Sequence, residues 1–258
     1  MGFADRDYYR AAPQRGEFGH FSTWSVTTWL IVINVAVFLI DPLVMHATQG
    51  DFSLFQIGAF RADGAIRHLQ LWRFITFQFL HAGIYHILYN MLGLYVFGPI
   101  VESVLGSRRY LAFYLLCGIA GAFSYIALGS HITMPQIPNL PAMDFEPGLI
   151  GASAGIFGLL VAAAVIAPEV RIIVFIVTMS IRTAAILAML IAVYTVLTSG
   201  SNFGGEAAHL GGGVLGYILI KNIHWLNFAE PRRRESMYIG PRRRRRAFQK
   251  DWSKDSNR

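Results

Sequence analysis

Ser153 lies in Gly151-Ala-Ser-Ala-Gly155, within a stretch that is otherwise almost free of polar side chains, and His209 opens a glycine-rich run that reaches Gly212 and Gly216. A serine hydroxyl is a weak nucleophile until a base removes its proton, and imidazole is the side chain most often used for that. Small residues on both segments let two helix backbones approach closely, with Gly212-x-x-x-Gly216 as the contact face. Such an approach would bring Ser153 and His209 within hydrogen-bond reach. Phe157, four residues after Ser153, shares its helix face and is expected to lie against the imidazole and fix its plane. His86 and Asn90 are also spaced i, i+4, so their side chains point the same way. Together with the Ser153 backbone N–H near a helix start, they are candidate donors to a developing oxyanion. The chemistry this set suits is acyl transfer. No acidic residue is available as a third member, so the pair is expected to act as a dyad. His20, His46, His68, His131 and His224 show no metal-ligand spacing, so neither a metal nor a cofactor is expected.

The elements that must hold these residues follow from composition. Of 258 residues, 54% are apolar and 14% charged. A soluble domain carries about a quarter charged residues, and a chain this apolar in water would expose large sticky patches. Lipid is the solvent that fits. Runs of roughly 20 apolar residues predict six spans, at about 24–40, 78–98, 109–128, 149–166, 182–198 and 206–226. The first is expected to end at Asp41-Pro42, and 170–180 is read as an interfacial stretch. Residues 41–77 form a long first outer loop, read as a partly helical element lying on the bilayer. Four prolines make 129–148 an irregular loop.

Charge sets the orientation. Residues 1–221 balance 11 Lys/Arg against 11 Asp/Glu, whereas 222–258 hold 11 against 4 and so carry the whole +7 excess. Arg108, Arg109, Arg171 and Arg182 fall on the same side as the tail when both termini are cytoplasmic, as the positive-inside rule requires. The expected organisation is a cytoplasmic segment 1–22, a membrane domain 23–226 and a basic, disordered cytoplasmic tail 227–258. Residues 1–20 mix charges without an apolar core, so no secretory signal is expected. The arginine runs 232–234 and 242–246 invite a nucleic-acid reading. A solvated tail that enforces topology and touches anionic lipid explains them more simply, and no specific nucleic acid is expected as a partner. Cys117 stands alone and forms no intrachain disulfide.

In order along the chain, Trp72-Arg73, His81, His86-x-x-x-Asn90, Glu102 with Gly106, Gly151-Ala-Ser153 and His209 with Gly212-x-x-x-Gly216 resemble the rhomboid proteases over about residues 24–225. The resemblance implies an all-α, six-helix membrane bundle with a Ser153–His209 dyad. It also implies oxyanion contacts from His86, Asn90 and the Ser153 amide. Trp72 and Arg73 would belong to the interfacial first outer loop, and His81 and Glu102 would be structural. Ala154 stands where many relatives have Gly. The implied activity is cleavage of peptide bonds in or near transmembrane segments, with single-span proteins as substrates and the lipid bilayer as surroundings. Other readings are a nucleophile elbow, which needs a preceding strand and a sheet, a non-proteolytic binder of membrane clients, and a transporter. Neither a strand before Ser153 nor paired broken spans are visible in the sequence.

Overall fold

The computed structural model describes residues 24–129, 148–174, 176–198 and 202–230. The N-terminal segment 1–22, most of the proline-rich stretch and the arginine runs lie outside these residues. In chain order the helices are α1 Val26–Ala47, α2 Leu54–Gly58, α3 Ala62–Ile66, α4 Arg73–Thr76, α5 Ile84–Leu105, α6 Ser107–Ser124, α7 Ser153–Ile166, α8 Ile181–Leu197 and α9 Phe203–Lys221. A π-helical turn, Tyr125–Gly129, extends α6, and a 3-10 helix, Ile223–Ala229, follows α9. By length and composition, α1, α5 and α6 with its π turn are apolar and long enough to cross a membrane, while α7 and α8 are shorter apolar helices.

Helix α7 is the hub, lying against α5, α6, α8 and α9. It has 14 residues and is buried on nearly every side, through Ala154, Gly155, Ile156, Gly158, Leu159, Leu160, Ala162 and Ala163. A helix that is apolar all round belongs in an interior, and the small residues here let four neighbours close on it. Tyr110, Phe113, Tyr114 and Cys117 of α6 supply its fully buried aromatic and thiol wall. By contrast α1 is peripheral. Of its residues only Thr27, Leu30, Asn34 and Asp41 are buried.

Several boundaries differ from the sequence expectation, two of them with partners that explain the difference. Helix α1 runs through Asp41-Pro42 to Ala47, although proline removes one helix hydrogen bond and crowds the carbonyl four residues back. The Asp41 carboxylate is buried and accepts from the Leu54 N–H at 2.6 Å and the Ser53 hydroxyl at 3.0 Å, so it starts α2 rather than stopping α1. Helix α5 begins at Ile84 rather than 78, since Phe77–Phe79 form a 3-10 turn, and it continues past Pro99 to Leu105.

The stretch 171–180 is an antiparallel hairpin, β1 Arg171–Val174 with β2 Val177–Ser180, Arg171 opposite Ser180 and Val174 opposite Val177. β-Branched Ile172, Ile173, Val174, Val177 and Thr178 favour the extended backbone. The hairpin comes after Ser153 and forms no sheet beneath it. Residues 41–77 carry the three short helices α2–α4.

Glu102 ties α1, α5 and α6 together. Its carboxylate accepts from the Val26 N–H at 2.8 Å, the Thr27 N–H at 3.0 Å, the Thr27 hydroxyl at 2.8 Å and the Ser107 hydroxyl at 2.9 Å. It thereby satisfies the orphan donors at the start of α1 while bracing the α5–α6 turn. Hydrogen bonds to a charged group contribute about 1.5–3 kcal/mol each in favourable cases. Glu102→Ala is therefore expected to cost about 2–3 kcal/mol, read as a lowered Tm of the detergent-solubilised protein, with Glu102→Gln falling between. A Tm equal to that of the parent protein would refute this bracing.

Candidate active site

Ser153 is the first residue of α7, preceded by a segment that two backbone contacts hold in place. The Phe60 N–H donates to the Leu149 carbonyl at 2.9 Å and the Leu149 N–H returns a bond to Phe60 at 2.8 Å. The Gly151 N–H donates to the Phe77 carbonyl at 2.9 Å. Phe60 is fully buried and its ring lies 4.8 Å from Phe74, 5.9 Å from Phe77 and 6.1 Å from Tyr125. The strand-like lead into Ser153 is thus clamped to the loop after α1 and to the turn before α5.

Gly151 has φ +115°, a region that side-chain-bearing residues rarely adopt. A Cβ there would stand 2.6 Å from His86 Nε2 and 3.5 Å from Asn90 Nδ2. Both side chains therefore reach across from α5 to the backbone two residues before Ser153. Asn90 is buried, and among the described residues its Nδ2 donor has no hydrogen-bond partner. The first N–H groups of α7 lack partners within the helix and carry its positive dipole end. Backbone and side-chain donors converge here beside the serine.

Helix α9 meets α7 backbone to backbone. A Cβ on Gly212 would lie 2.0 Å from the Ala154 carbonyl oxygen, and one on Gly216 would lie 2.6 Å from the Gly158 Cα. This contact brings His209 Nε2 to 2.8 Å from Ser153 Oγ. The Phe157 ring lies flat on the imidazole, with centroids 4.1 Å apart and planes 6° off parallel. The His81 and His86 rings meet edge to face with centroids 5.0 Å apart, and His81 is itself buried.

The expectation that no acidic residue stands near the pair is corrected by the structure. Glu206 Oε2 lies 3.0 Å from His209 Nδ1. Glu206 is one turn before His209 on the same helix face, at the i, i+3 spacing that makes side chains neighbours. A carboxylate only accepts, so Nδ1 carries the hydrogen and Nε2 offers its lone pair to the serine O–H.

Trp72 and Arg73 stand away from this cluster. The Trp72 indole N–H donates to the Ile57 carbonyl at 2.9 Å, with the ring half exposed. Arg73 is buried, and its guanidinium donates to the Gln56 carbonyl at 2.8 Å and to the carbonyl of Ala59 and the side chain of Gln70. These bonds knit the loop after α1 to itself. No group of three or more His, Cys, Asp or Glu with metal-ligand geometry occurs among the described residues.

A family model for the rhomboid domain matches residues 68–225, a span that includes every candidate residue named above. The chain is 30% identical over 126 residues to rhomboid protease GluP of Bacillus subtilis, covering 49% of this chain and 23% of that protein. It is 30% identical over 99 residues to rhomboid protease GlpG of Pectobacterium atrosepticum, covering 38% and 33% respectively. To RHOMBOID-like protein 4 of Arabidopsis thaliana it is 26% identical over 243 residues, covering 82% and 57%. The chain thus spans less than two thirds of the length of each of these relatives. The match extends over more than half of this chain and takes in the apolar helices α5 to α8, so the protein is a multi-pass membrane protein that belongs to the rhomboid family.

Proposed function

We propose that this chain is an intramembrane serine endopeptidase that cleaves peptide bonds in or near the transmembrane segments of single-span membrane proteins. Ser153 is the nucleophile and His209 the general base. The observation that carries this reading is the 2.8 Å contact between Ser153 Oγ and His209 Nε2, made by two different helices. In the first step His209 takes the hydroxyl proton as the oxygen attacks the scissile carbonyl. The oxyanion is met by the Ser153 N–H, His86 and Asn90, each such donor being worth about 2.7–4 kcal/mol in the transition state. His209 then returns the proton to the leaving amine, and water hydrolyses the acyl-serine by the same route. No cofactor enters this sequence. Phe157 keeps the imidazole plane fixed throughout, and Gly212 and Gly216 allow the helix contact that makes the pair.

In this reading six helices, α1 and α5–α9, cross the bilayer, with both termini cytoplasmic and α2–α4 lying at the outer interface of a cell membrane. Residues 1–22 form a cytoplasmic segment, 23–226 the membrane domain and 227–258 the basic tail. A substrate helix must fray to expose its amides, because an intact helix keeps them bonded.

The test is covalent labelling. A fluorophosphonate probe is expected to label the purified protein and to leave Ser153→Ala unlabelled. Failure to label folded wild-type protein, or equal labelling of the two, would replace the protease reading with a client-binding one.

A further inference from the structure

In the reaction laid out above the Glu206 carboxylate takes no step of its own. We propose that Glu206 is a positioning residue for that reaction: it holds His209 in the Nδ1–H form with Nε2 turned to Ser153, and it offsets the positive charge that the ring gains when it deprotonates the serine. The inference rests on the Ser153–His209 reading and deepens it.

Three observations carry it. The first is geometric: both imidazole nitrogens are engaged at once, Nδ1 with Glu206 at 3.0 Å and Nε2 with Ser153 at 2.8 Å. Imidazole has two neutral forms, and the partner of one nitrogen selects which is present. Phe157 fixes the plane of the ring but is indifferent to where its proton sits. Glu206 is the contact that decides it.

The second is the place of Glu206 in the first turn of α9. The unpaired N–H groups and the positive dipole end suit an acidic side chain at that place. Its carboxylate oxygens face the imidazole, where they can accept from Nδ1–H.

The third is shielding. The side chains of His209 and Glu206 are 14% and 19% exposed, so water screens the pair less than it would a surface contact. Among the described residues Glu206 makes no other ion pair and is committed to His209. The titratable group facing His209 from the other helices is His86 on α5. Tyr125 in the π turn covers Gly204, a little more than one turn before the histidine. Neither supplies a negative charge near neutral pH.

A carboxylate in the first turn could instead serve only to start the helix, and the experiment separates the two roles. The full chain in liposomes cleaves a model transmembrane substrate over about pH 5 to 9, the range in which an imidazole titrates. Glu206→Gln keeps the shape and removes the charge. The expected result is a kcat lowered roughly tenfold to ten-thousandfold, the span between losing an outer partner of a metal-bound histidine and losing the aspartate of a serine-protease triad, with KM changed by less than about twofold. The acidic limb of the kcat/KM profile should move to lower pH, since a lost negative neighbour disfavours the protonated ring. Glu206→Asp, which restores the charge at shorter reach, should recover part of the rate and return the limb toward the wild-type position.

Wild-type kcat with an unmoved limb in folded Glu206→Gln, alongside an inactive Ser153→Ala, overturns the role of Glu206 and leaves the protease reading standing. A lowered Tm and rate with an unmoved limb, unrescued by Glu206→Asp, assigns Glu206 to helix stability and also overturns it. An active Ser153→Ala removes the underlying reading and this inference with it. Should Glu206→Gln fail to fold, Glu206→Asp alone decides: a several-fold lower kcat and a smaller limb shift support the role, and wild-type values overturn it.

Discussion

Replacing Ser153 by alanine should lower cleavage of a model transmembrane substrate in liposomes by roughly ten-thousandfold or more, and His209→Ala should cost about as much. The size follows from the arrangement. The proposed reaction moves the proton and forms the acyl bond through Ser153 Oγ and His209 Nε2, which lie 2.8 Å apart. If the two act as one unit, as proposed, the double variant should be hardly slower than either single one. The oxyanion donors near Gly151 would remain and account for any residual rate. Tm values close to wild type would show that the bundle is intact, since neither change opens a large cavity. A single variant retaining more than about a hundredth of the rate would be too active for a nucleophile or base, and additive losses in the double variant would mean that the two do not act together.

Gly212→Val should have the second largest effect, although the residue has no chemical role. Its Cβ would stand 2.0 Å from the Ala154 carbonyl oxygen, which is backbone and cannot rotate aside. To admit a side chain, α7 and α9 must part by on the order of 1 Å, and a misplacement of that size in a reacting pair can cost a hundredfold in rate. The same overpacking should cost about 1–3 kcal/mol in stability. Gly213 provides the control, because a Cβ there meets the thioether sulfur of Met189 at 2.6 Å, the flexible end of a side chain that can move. Gly213→Ala should keep kcat within about threefold, since methionine adapts to such changes. Gly212→Val and Gly213→Ala with equal kcat would show that the helix contact does not set the geometry of the pair.

Much of this architecture was legible in the residues, because the signals were physical ones at short range. Apolar runs located α6, α7, α8 and α9 to within about five residues and α5 six to seven residues early, and the small-residue spacings marked the α7–α9 contact. The i, i+4 spacing put Phe157 on the Ser153 face of its helix, and the small-residue helix contact then brought it against His209. What was not legible involves competition between local and distant partners. Asp41-Pro42 reads as a helix end, yet Ser53 and Leu54 satisfy the Asp41 carboxylate and α1 continues. The apolar stretch after Arg171 lacks strict alternation, so its β-branched residues, although they favour extended backbone, were not enough to announce a hairpin. Glu206 was visible at i−3 from His209, but as a charge at the edge of an apolar run it read as the boundary of the sixth span. Helix α9 begins three residues earlier, at Phe203, which places Glu206 inside the helix and beside the imidazole.

Helix α7 has a further implication. Its 14 residues reach about 21 Å at 1.5 Å per residue, against a hydrocarbon thickness of about 30 Å. If its C-terminal end lies at one face, as the proposed topology requires, the serine at its first residue would sit roughly 9 Å beneath the other. A peptide dissolved in water has no reason to descend that far, whereas a chain already threaded through the lipid needs only to unwind locally. Selectivity for embedded chains would then come from the shortness of one helix, and acyl-chain length would become a control on turnover.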